Sequence, residues 1–442
     1  MSLMSEWCGP SRGEAIIIHE QGLFFMPIAS IAVTNFKSFR EMVFEPASFN
    51  IVIGSNASGK SNLIQVFKFL RDIAKYGLPN AISLQGGVEY LRNTSIGQSE
   101  NFSFRIVYLL EDTKQDVIGV KNHNPVYFVS KEIAYEFTIH FTDTTAGYEV
   151  VRDHLVISGD FLIRDGENFQ TAGCGSLGLS QVGGEVRYRV CPPEGLVLLE
   201  EELYPHLLRH QEIPATHLIA NNPVTAPGVP PLEWIFRGIK VYDFDPRLLK
   251  MAAPMAGKTE LEKDGSNLAI VIKGICEDPD RKKAFISLVN DMLPFVTDVA
   301  VDKLLDMSLF LKLKEVFGPD KYIPASMVSD GTINIAALII ALYFEDRRVT
   351  IIEEPEKNIH PALIARLVSM LKDASGRKQI IVTTHNPEMV KHVAIEDIFL
   401  INRDKDGFSR LSRPGDKQEI MTFLEHEIGI DELFIQGLLN SD

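Results

Sequence analysis

Ile51-Val52-Ile53-Gly54-Ser55-Asn56-Ala57-Ser58-Gly59-Lys60-Ser61 is the stretch that decides how this chain is read. An apolar run ends at Gly54, and after four residues Gly59, Lys60 and Ser61 complete the pattern G-x-x-x-x-G-K-[ST]. Glycines at this spacing let the backbone curl so that successive N–H groups converge on phosphate oxygens. Lys60 supplies a point charge for the β- and γ-phosphates, and Ser61 offers a hydroxyl to Mg²⁺. The flanks agree. Residues 49–53 read as a buried strand, and 61–73 carry Leu63, Ile64, Phe67, Leu70 and Ile73 at helical spacing. The helix N-terminus then points at the anion. The loop residues Gly54, Ser55, Asn56, Ala57, Ser58, Gly59, Lys60 and Ser61 are therefore the expected nucleotide-binding set.

The rest of the chain sets bounds. Its 442 residues allow two or three domains and ample core, and 45% hydrophobic with 23% charged residues is an ordinary globular composition. A net charge of −15 argues against a broad basic surface for nucleic acid, while leaving room for a local groove. The basic clusters at 281–283 and 347–348 read as solvated helix ends or loops. The four cysteines, Cys8, Cys174, Cys191 and Cys276, form no C-x-x-C pair, so neither a zinc site nor a disulfide framework is implied. A reducing, cytoplasmic setting is expected. No apolar run approaches the roughly 20 residues of a membrane helix. Residues 1–26 hold Glu6, Glu14 and Glu20 around a brief apolar patch, which is no signal peptide, and are expected to be an extension outside the fold.

Along the chain, 28–33 and 42–44 read as strands around the turn Asn35-Phe36-Lys37-Ser38-Phe39, with that turn placed near a nucleotide base or ribose or serving as a plain hairpin tip. Residues 102–110 and 132–141 alternate as half-exposed strands do, and 147–156 and 186–190 continue a sheet. The Gly-, Ser- and Asp-rich stretch 157–185 reads as hairpins and loops. A short helix is expected at 200–211 and a proline-rich loop or linker at 221–231. Then come a strand at 239–244, a helix opened by Ser266 or Asn267 as N-cap, a helix at 281–293 and two strands in 299–314. No heptad repeat is present in 80–320.

The last part holds a second group of motifs. Ser329-Asp330-Gly331-Thr332 precedes an amphipathic helix at 333–345. The β-branched run 349–352 suits a central parallel strand and ends in Glu353-Glu354-Pro355. A crossover helix at 361–371 leads to a strand at 379–383 ending in Thr384-His385-Asn386-Pro387. This is an α/β arrangement with ligand groups at the carboxyl edge of the sheet. Beside a phosphate loop, Glu353 suits Mg²⁺ and Glu354 suits orienting or deprotonating the attacking water. His385 at the neighbouring strand end suits a hydrogen bond to the γ-phosphate. Ser329, Asp330 and Gly331 at a helix N-terminus form a second anion site. It is either a helix cap with no ligand or, more economically, the part that completes the site of a second subunit.

Together these motifs resemble the ABC-type ATPases of the SMC, RecF and OLD group, in particular the compact prokaryotic AAA-family ATPases without a long coiled coil. The resemblance rests on Asn35–Phe39, the phosphate loop, Tyr242-Asp243-Phe244-Asp245-Pro246, 264–268, Ser329–Thr332, Glu353–Glu356 with His360-Pro361, Thr383–Pro387 and the terminal 432–437, and it spans 27–442. It implies a P-loop NTPase fold of the ABC or SMC-head type: a mixed sheet flanked by helices, with a β-rich insert and a helical segment between the phosphate loop and the signature. The expected division is 27–140 as the first ATPase lobe, 141–245 as the insert and linker, 246–320 as a helix and strand segment, and 321–442 as the second lobe. It also implies ATP and Mg²⁺ as ligands and a dimer sandwiching two ATP molecules. In it Asn35 and Lys37 join the phosphate loop, Ser61 and Glu353 hold the metal, Glu354 is the base, His385 is the sensor, and Ser329, Asp330 and Gly331 act in trans. The signature departs from the Ser-Gly-Gly of transporters, and Glu353 stands where many relatives carry Asp. Gln85 and Gln98 are the candidates for the glutamine loop. Too few residues follow His385 for the TOPRIM domain of OLD proteins. Asp404 and Asp406 read as part of a hairpin turn rather than a nuclease pair.

The leading functional expectation is an ATP-hydrolysing, ATP-dimerised switch for a separately encoded effector, in antiphage defence or DNA maintenance. The alternative is a RecF-like, ATP-dependent DNA-binding repair protein. A transporter subunit and a nucleotide sensor with little turnover are the remaining readings.

Overall fold

The computed structural model describes residues 27–110, 115–121, 124–166, 168–182, 184–198, 213–221, 236, 238–304, 307–318, 321–416 and 432. Expectations for 1–26, for the helix at 200–211, for most of the proline-rich stretch and for the terminal motif beyond Glu432 lie outside these residues.

The phosphate loop leaves a six-stranded sheet. Its order is β10 (Ile239–Tyr242), β15 (Val349–Glu353), β16 (Gln379–Thr384), β3 (Phe49–Ile53), β17 (Ile398–Arg403) and β18 (Ser409–Ser412). All neighbours are parallel except the β17–β18 hairpin. The central strands β3, β15 and β16 are mostly apolar and buried nearly throughout because both faces are covered. Alternate residues enter two different cores. Val52, Ile351, Ile381, Phe399 and Ile401 face one core. Ile51, Ile53, Ile352, Ile380, Val382 and Leu400 face the other.

The first core holds helix α1 (Lys60–Tyr76) between this sheet and a large antiparallel sheet. The apolar positions read from the sequence, Leu63, Ile64, Phe67, Leu70 and Ile73, are all buried. Gly77, at φ 81°, stops the helix, and Pro79 follows. Phe67 meets the Phe44 ring edge-on, and Phe69 packs against Phe36 and Phe102. Rings of this kind add about 0.5–1.5 kcal/mol each beyond their buried area.

That antiparallel sheet has eight strands: β2 (Phe39–Phe44), β1 (Ile28–Phe36), β4 (Phe102–Leu109), β6 (Asn124–Phe141), β7 (Tyr148–Asp165), β8 (Asn168–Val182) and β9 (Glu185–Cys191), with β5 (Gln115–Lys121) also on β6. Of the expectation of hairpins and loops across 157–185, the hairpins are present and the loops are corrected, since nearly all of the stretch is strand. β7 and β8 run through that stretch, paired from Asp153↔Gln181 to Asp165↔Asn168. The glycines that read as loop residues are there because neighbouring backbone comes close. A Cβ on Gly159 would stand 2.1 Å from the Val129 carbonyl oxygen, and one on Gly175 2.3 Å from that of Cys191. β6 and β7 pair from Val126↔Ile163 to Phe141↔Tyr148, so the segment before residue 140 and the insert after it share one sheet.

The second core lies under α2 (Leu268–Cys276), α3 (Pro279–Met292), α4 (Asp330–Ile339) and α5 (Ile364–Ser375). A small sheet closes it, formed by β11 (Ala253–Pro254), β13 (Ser308–Glu315), β12 (Val296–Lys303) and β14 (Tyr322–Pro324). Asn267 does occupy the N-cap position of α2, but its side chain turns away from the helix. It accepts from Glu262 N at 2.8 Å and donates to the Lys258 and Glu260 carbonyls. α4 starts three residues earlier than the apolar pattern indicates, and its last turn, Ile340–Phe344, widens to a π turn. Among the described residues no helix is long and apolar enough to cross a membrane.

Candidate nucleotide site

Register brings the motifs together. β16 lies between β15 and β3, and all three are parallel. Glu353 pairs with Thr383, and Thr383 with Val52. One residue further, Thr384 pairs with Ile53, directly before Gly54. Glu354, His385 and the start of the phosphate loop therefore emerge at one level of the sheet's carboxyl edge. β10 adds Tyr242 level with Ile352, which puts Asp243 at the same edge.

The loop is built for close approach. Gly59 has φ 122°, and a Cβ there would stand 2.2 Å from Ser409 Oγ. A Cβ on Gly54 would stand 2.3 Å from the Ile401 carbonyl oxygen. Ser55, Asn56, Ala57 and Ser61 are exposed, Lys60 is half-buried, and Ser58 is buried. The Ser58 hydroxyl has no hydrogen-bond partner among the described residues. The Ser409 hydroxyl lies 2.6 Å from the Ser58 carbonyl oxygen, and Arg403 Nε donates to the Ala57 carbonyl at 3.1 Å. Lys60 Nζ donates to the Gly54 and Ser55 carbonyls at 2.7 and 2.9 Å, across the mouth of the loop. Burial lowers the Lys60 pKa, while the carboxylates of Glu354 and Glu356 work the other way. A cradle with no room for side chains, an orphaned buried hydroxyl and a half-buried ammonium fit a polyphosphate.

The acidic pair divides as a strand end should. The Glu353 carboxylate turns to α1, where Oε1 meets Lys68 Nζ at 2.9 Å. Glu354 turns to β16, and its Oε1 lies 2.6 Å from His385 Nδ1. Glu354 sits at φ 46°, a left-handed conformation that costs a side-chain-bearing residue on the order of 1–3 kcal/mol. Its N–H is held by the Thr383 carbonyl at 2.8 Å. Lys357 Nζ stands 3.2 Å from Asp243 Oδ1 and 3.5 Å from Glu354 Oε2. Burial disfavours the Lys357 charge, but Asp243 and Glu354 hold its pKa above the ordinary value. Among the described residues no three His, Cys, Asp or Glu side chains gather into a metal site.

The signature loop makes its contacts elsewhere. Ser329 is the N-cap of α4, and its Oγ accepts from Thr332 N at 3.2 Å. Asp330 pairs with Lys250, which follows the short helix Pro246–Leu249. A Cβ on Gly331 would stand 2.3 Å from the Asn358 carbonyl oxygen. Asn334 Nδ2 donates to the Pro355 and Lys357 carbonyls at 3.2 and 2.9 Å. The signature helix is thus fastened to the turn that follows Glu354, and none of these bonds reaches the phosphate loop.

A cleft of about 710 Å³ lies beside the loop. Lys37, Tyr90, Arg92, Asn62, Arg403 and Phe408 are among its lining. Burial lowers the Lys37 pKa, and Lys37 Nζ donates to the Tyr90 carbonyl at 3.2 Å. Asn35, expected among the nucleotide-binding residues, has its side chain inside the fold. Its side chain is fully buried, donates to the Glu100 and Gly97 carbonyls, and accepts from Asn93 N at 3.0 Å. Asn35 instead ties the β1–β2 turn to the segment that forms the cleft wall. Gln85 lines the cleft, whereas Gln98 is exposed in a turn. The Asp404 carboxylate accepts from Asp406 N and Phe408 N and pairs with Arg410, so it shapes the β17–β18 turn. Lys68, Lys357, Arg403 and Ser409 escaped the sequence reading, and Glu356, though part of the motif Glu353–Glu356, was given no role, since no motif marks the partner of any of them.

Residues 49–173 and 277–391, more than half of the chain, match the family described as "AAA domain, putative AbiEii toxin, Type IV TA system". The chain belongs to this AAA family. The first matched segment contains the phosphate loop, and the second contains the signature, Glu353, Glu354 and His385. Membership agrees with the resemblance to compact AAA-family ATPases, and the fold is the P-loop NTPase fold expected. Among solved structures, the chain is similar to the SMC head domain from Thermotoga maritima, at 13% identity over 87% of this chain and 98% of that one, with a TM-score of 0.36. It is also similar to a Smc head domain bound to the C-terminal domain of ScpA, derived from Pyrococcus furiosus, at 13% identity over 90% and 100%, with a TM-score of 0.45. A Smc head domain with a coiled coil and joint from Pyrococcus yayanosii gives 13% identity over 91% and 99%, with a TM-score of 0.43. No curated protein matches the chain by sequence.

Proposed function

We propose that this AAA-family chain binds and hydrolyses ATP with Mg²⁺, dimerises when ATP is bound, and thereby switches a separately encoded effector. The observation that carries the reading is the convergence of Lys60, Glu354 and His385 at the carboxyl edge of three adjacent parallel strands.

In this reading the loop N–H groups and Lys60 hold the β- and γ-phosphates, and the nucleoside occupies the cleft lined by Lys37, Tyr90 and Phe408. Ser61 and Glu353 are the protein groups offered to Mg²⁺, which would neutralise charge on the phosphate oxygens. Glu354 receives the proton of the attacking water as its oxygen bonds to the γ-phosphorus. The bond from the γ-phosphorus to the bridging oxygen breaks, and ADP leaves with that electron pair. His385 donates to a γ-phosphate oxygen through Nε2, its Nδ1 staying against Glu354. In this reading Ser329, Asp330 and Gly331 serve a second copy, and among the described residues their contacts lie away from the chain's own phosphate loop. The family description names a type IV toxin–antitoxin system, so the effector is sought first among products of neighbouring genes.

Turnover and mass are the test. Wild type should hydrolyse ATP with Mg²⁺, and Lys60→Ala should not bind it. Glu354→Gln should retain ATP and sediment as a dimer; a monomer at every ATP concentration removes the sandwich. ATP-dependent, salt-sensitive binding of duplex DNA by Glu354→Gln would favour the RecF-like alternative instead.

A further inference from the structure

Glu356, so far named only for its charge effect on Lys60, is a carboxylate only 7% exposed. Its Oε1 accepts the hydroxyl of Thr384, and its Oε2 has no partner among the described residues. The Thr384 hydroxyl in turn accepts from Asn386 N at 2.9 Å. The residue between Thr384 and Asn386 is His385. Glu356 itself lies two residues beyond Glu354, in the turn whose strained φ must be held from outside. One buried side-chain bond therefore joins the turn carrying Glu354 to the strand end carrying His385. The His385 side chain is 53% exposed, and among the described residues its ring is hydrogen-bonded to Glu354 alone. Burial raises the Glu356 pKa, as does the nearby Glu354 charge, while the Thr384 bond and His385 lower it. A buried carboxylate with one oxygen unpartnered is a costly thing to keep for packing alone.

We propose that Glu356 is a positioning residue of the hydrolytic site, fixing His385 against Glu354 through the Thr384 hydroxyl. This rests on the roles assigned to Glu354 and His385 above. The geometry asks only for an acceptor at Oε1, so Glu356→Gln should keep the arrangement. Glu356→Ala and Thr384→Val should each break it.

Two readouts test this, one of which needs no turnover. The first is the imidazole Nδ1 resonance of His385 in the full chain, assigned with His385→Gln. Glu356→Ala and Thr384→Val should both move it to its position in Glu354→Ala, and Glu356→Gln should leave it in place. The second is steady-state hydrolysis. Glu356→Ala and Thr384→Val should each lower kcat by about 10- to 100-fold, the scale of a misplaced catalytic group, with KM for ATP nearly unchanged. The double variant should fall no further than the worse single variant. An unmoved resonance in both single variants overturns the proposal, and so do additive losses in kcat. If wild type hydrolyses no faster than Lys60→Ala, the ATPase reading fails, while the resonance still decides whether Glu356 positions the histidine.

Discussion

His385 Nδ1 stands 2.6 Å from Glu354 Oε1, although the two residues are 31 apart in sequence and leave different strands. The contact occupies the oxygen that a base would use and the ring that a phosphate sensor would use. In the proposed function the two residues therefore act as one unit. Glu354→Gln should lower single-turnover hydrolysis by about 10²- to 10⁴-fold while leaving ATP affinity nearly intact. His385→Ala should lose less, and the double variant should lose no more than Glu354→Gln alone, as expected of groups working together. Rapid-quench measurement of product at saturating ATP distinguishes these outcomes.

Gly331 is held by a neighbour as well as by any partner chain. Its α-carbon approaches the Asn358 carbonyl so closely that a methyl group would stand 2.3 Å from the oxygen. Gly331→Ala should destabilise the fold by about 1–3 kcal/mol, the range for overpacking, in thermal melts without nucleotide. Ser329→Ala should lose about 1 kcal/mol, the worth of an N-cap. If Gly331→Ala melts like wild type, the signature glycine has no packing role.

Asp153 gives a pH dependence remote from the site. It is fully buried on β7, and Oδ2 accepts from Ile219 N at 2.6 Å. Burial pushes its pKa up to about 7, against the pull of the Ile219 N–H. Between an ordinary carboxylate value and about 7 the folded chain holds a proton that the unfolded chain has lost. The contribution of Asp153 to stability should thus fall as pH rises through that window. Each pH unit crossed there costs about 1.4 kcal/mol, so the whole loss is on the order of a few kcal/mol. Asp153→Asn keeps an acceptor and removes the charge. Its denaturant midpoint should match that of wild type at about pH 4 and exceed it at about pH 8. Parallel pH profiles for the two proteins would refute this.

Asn35 should behave as a structural residue. Asn35→Ala leaves the Glu100 and Gly97 carbonyls and the Asn93 N–H without their partner. Loss of about 2–3 kcal/mol of stability is expected from buried groups so stranded. ATP affinity of the folded fraction, measured by calorimetry, should stay within about threefold of wild type.

Much of the site was legible because its chemistry is written in contiguous residues. The phosphate loop, the apolar strand ending in Glu353 and Glu354, and the strand ending in Thr384 and His385 each announce themselves by local pattern. Contacts between distant residues do not. Lys68 meets Glu353 across 285 positions, and Thr384 meets Glu356 by a register that only the assembled sheet defines. In the large antiparallel sheet the local signal points the wrong way. Gly159, Gly175 and their serine neighbours have turn composition, yet they serve strands whose backbones crowd one another. Asn35 lies in a recognised motif, but at φ 50° it is there for its backbone and its amide bonds.

α1 begins at the phosphate loop and is wedged by Phe67 and Phe69 under β1, β2 and β4. The same sheet continues into the β6–β7 hairpin, each arm of which is 18 residues long. At about 3.3 Å per residue such an arm reaches roughly 60 Å. In the proposed function it serves as a lever with its fulcrum at the phosphate loop. A rocking of α1 by about 5° would sweep the far end of a rigid arm of that length through roughly 5 Å. A displacement too slight to notice at the phosphates would there be large enough to open or close a contact with another protein.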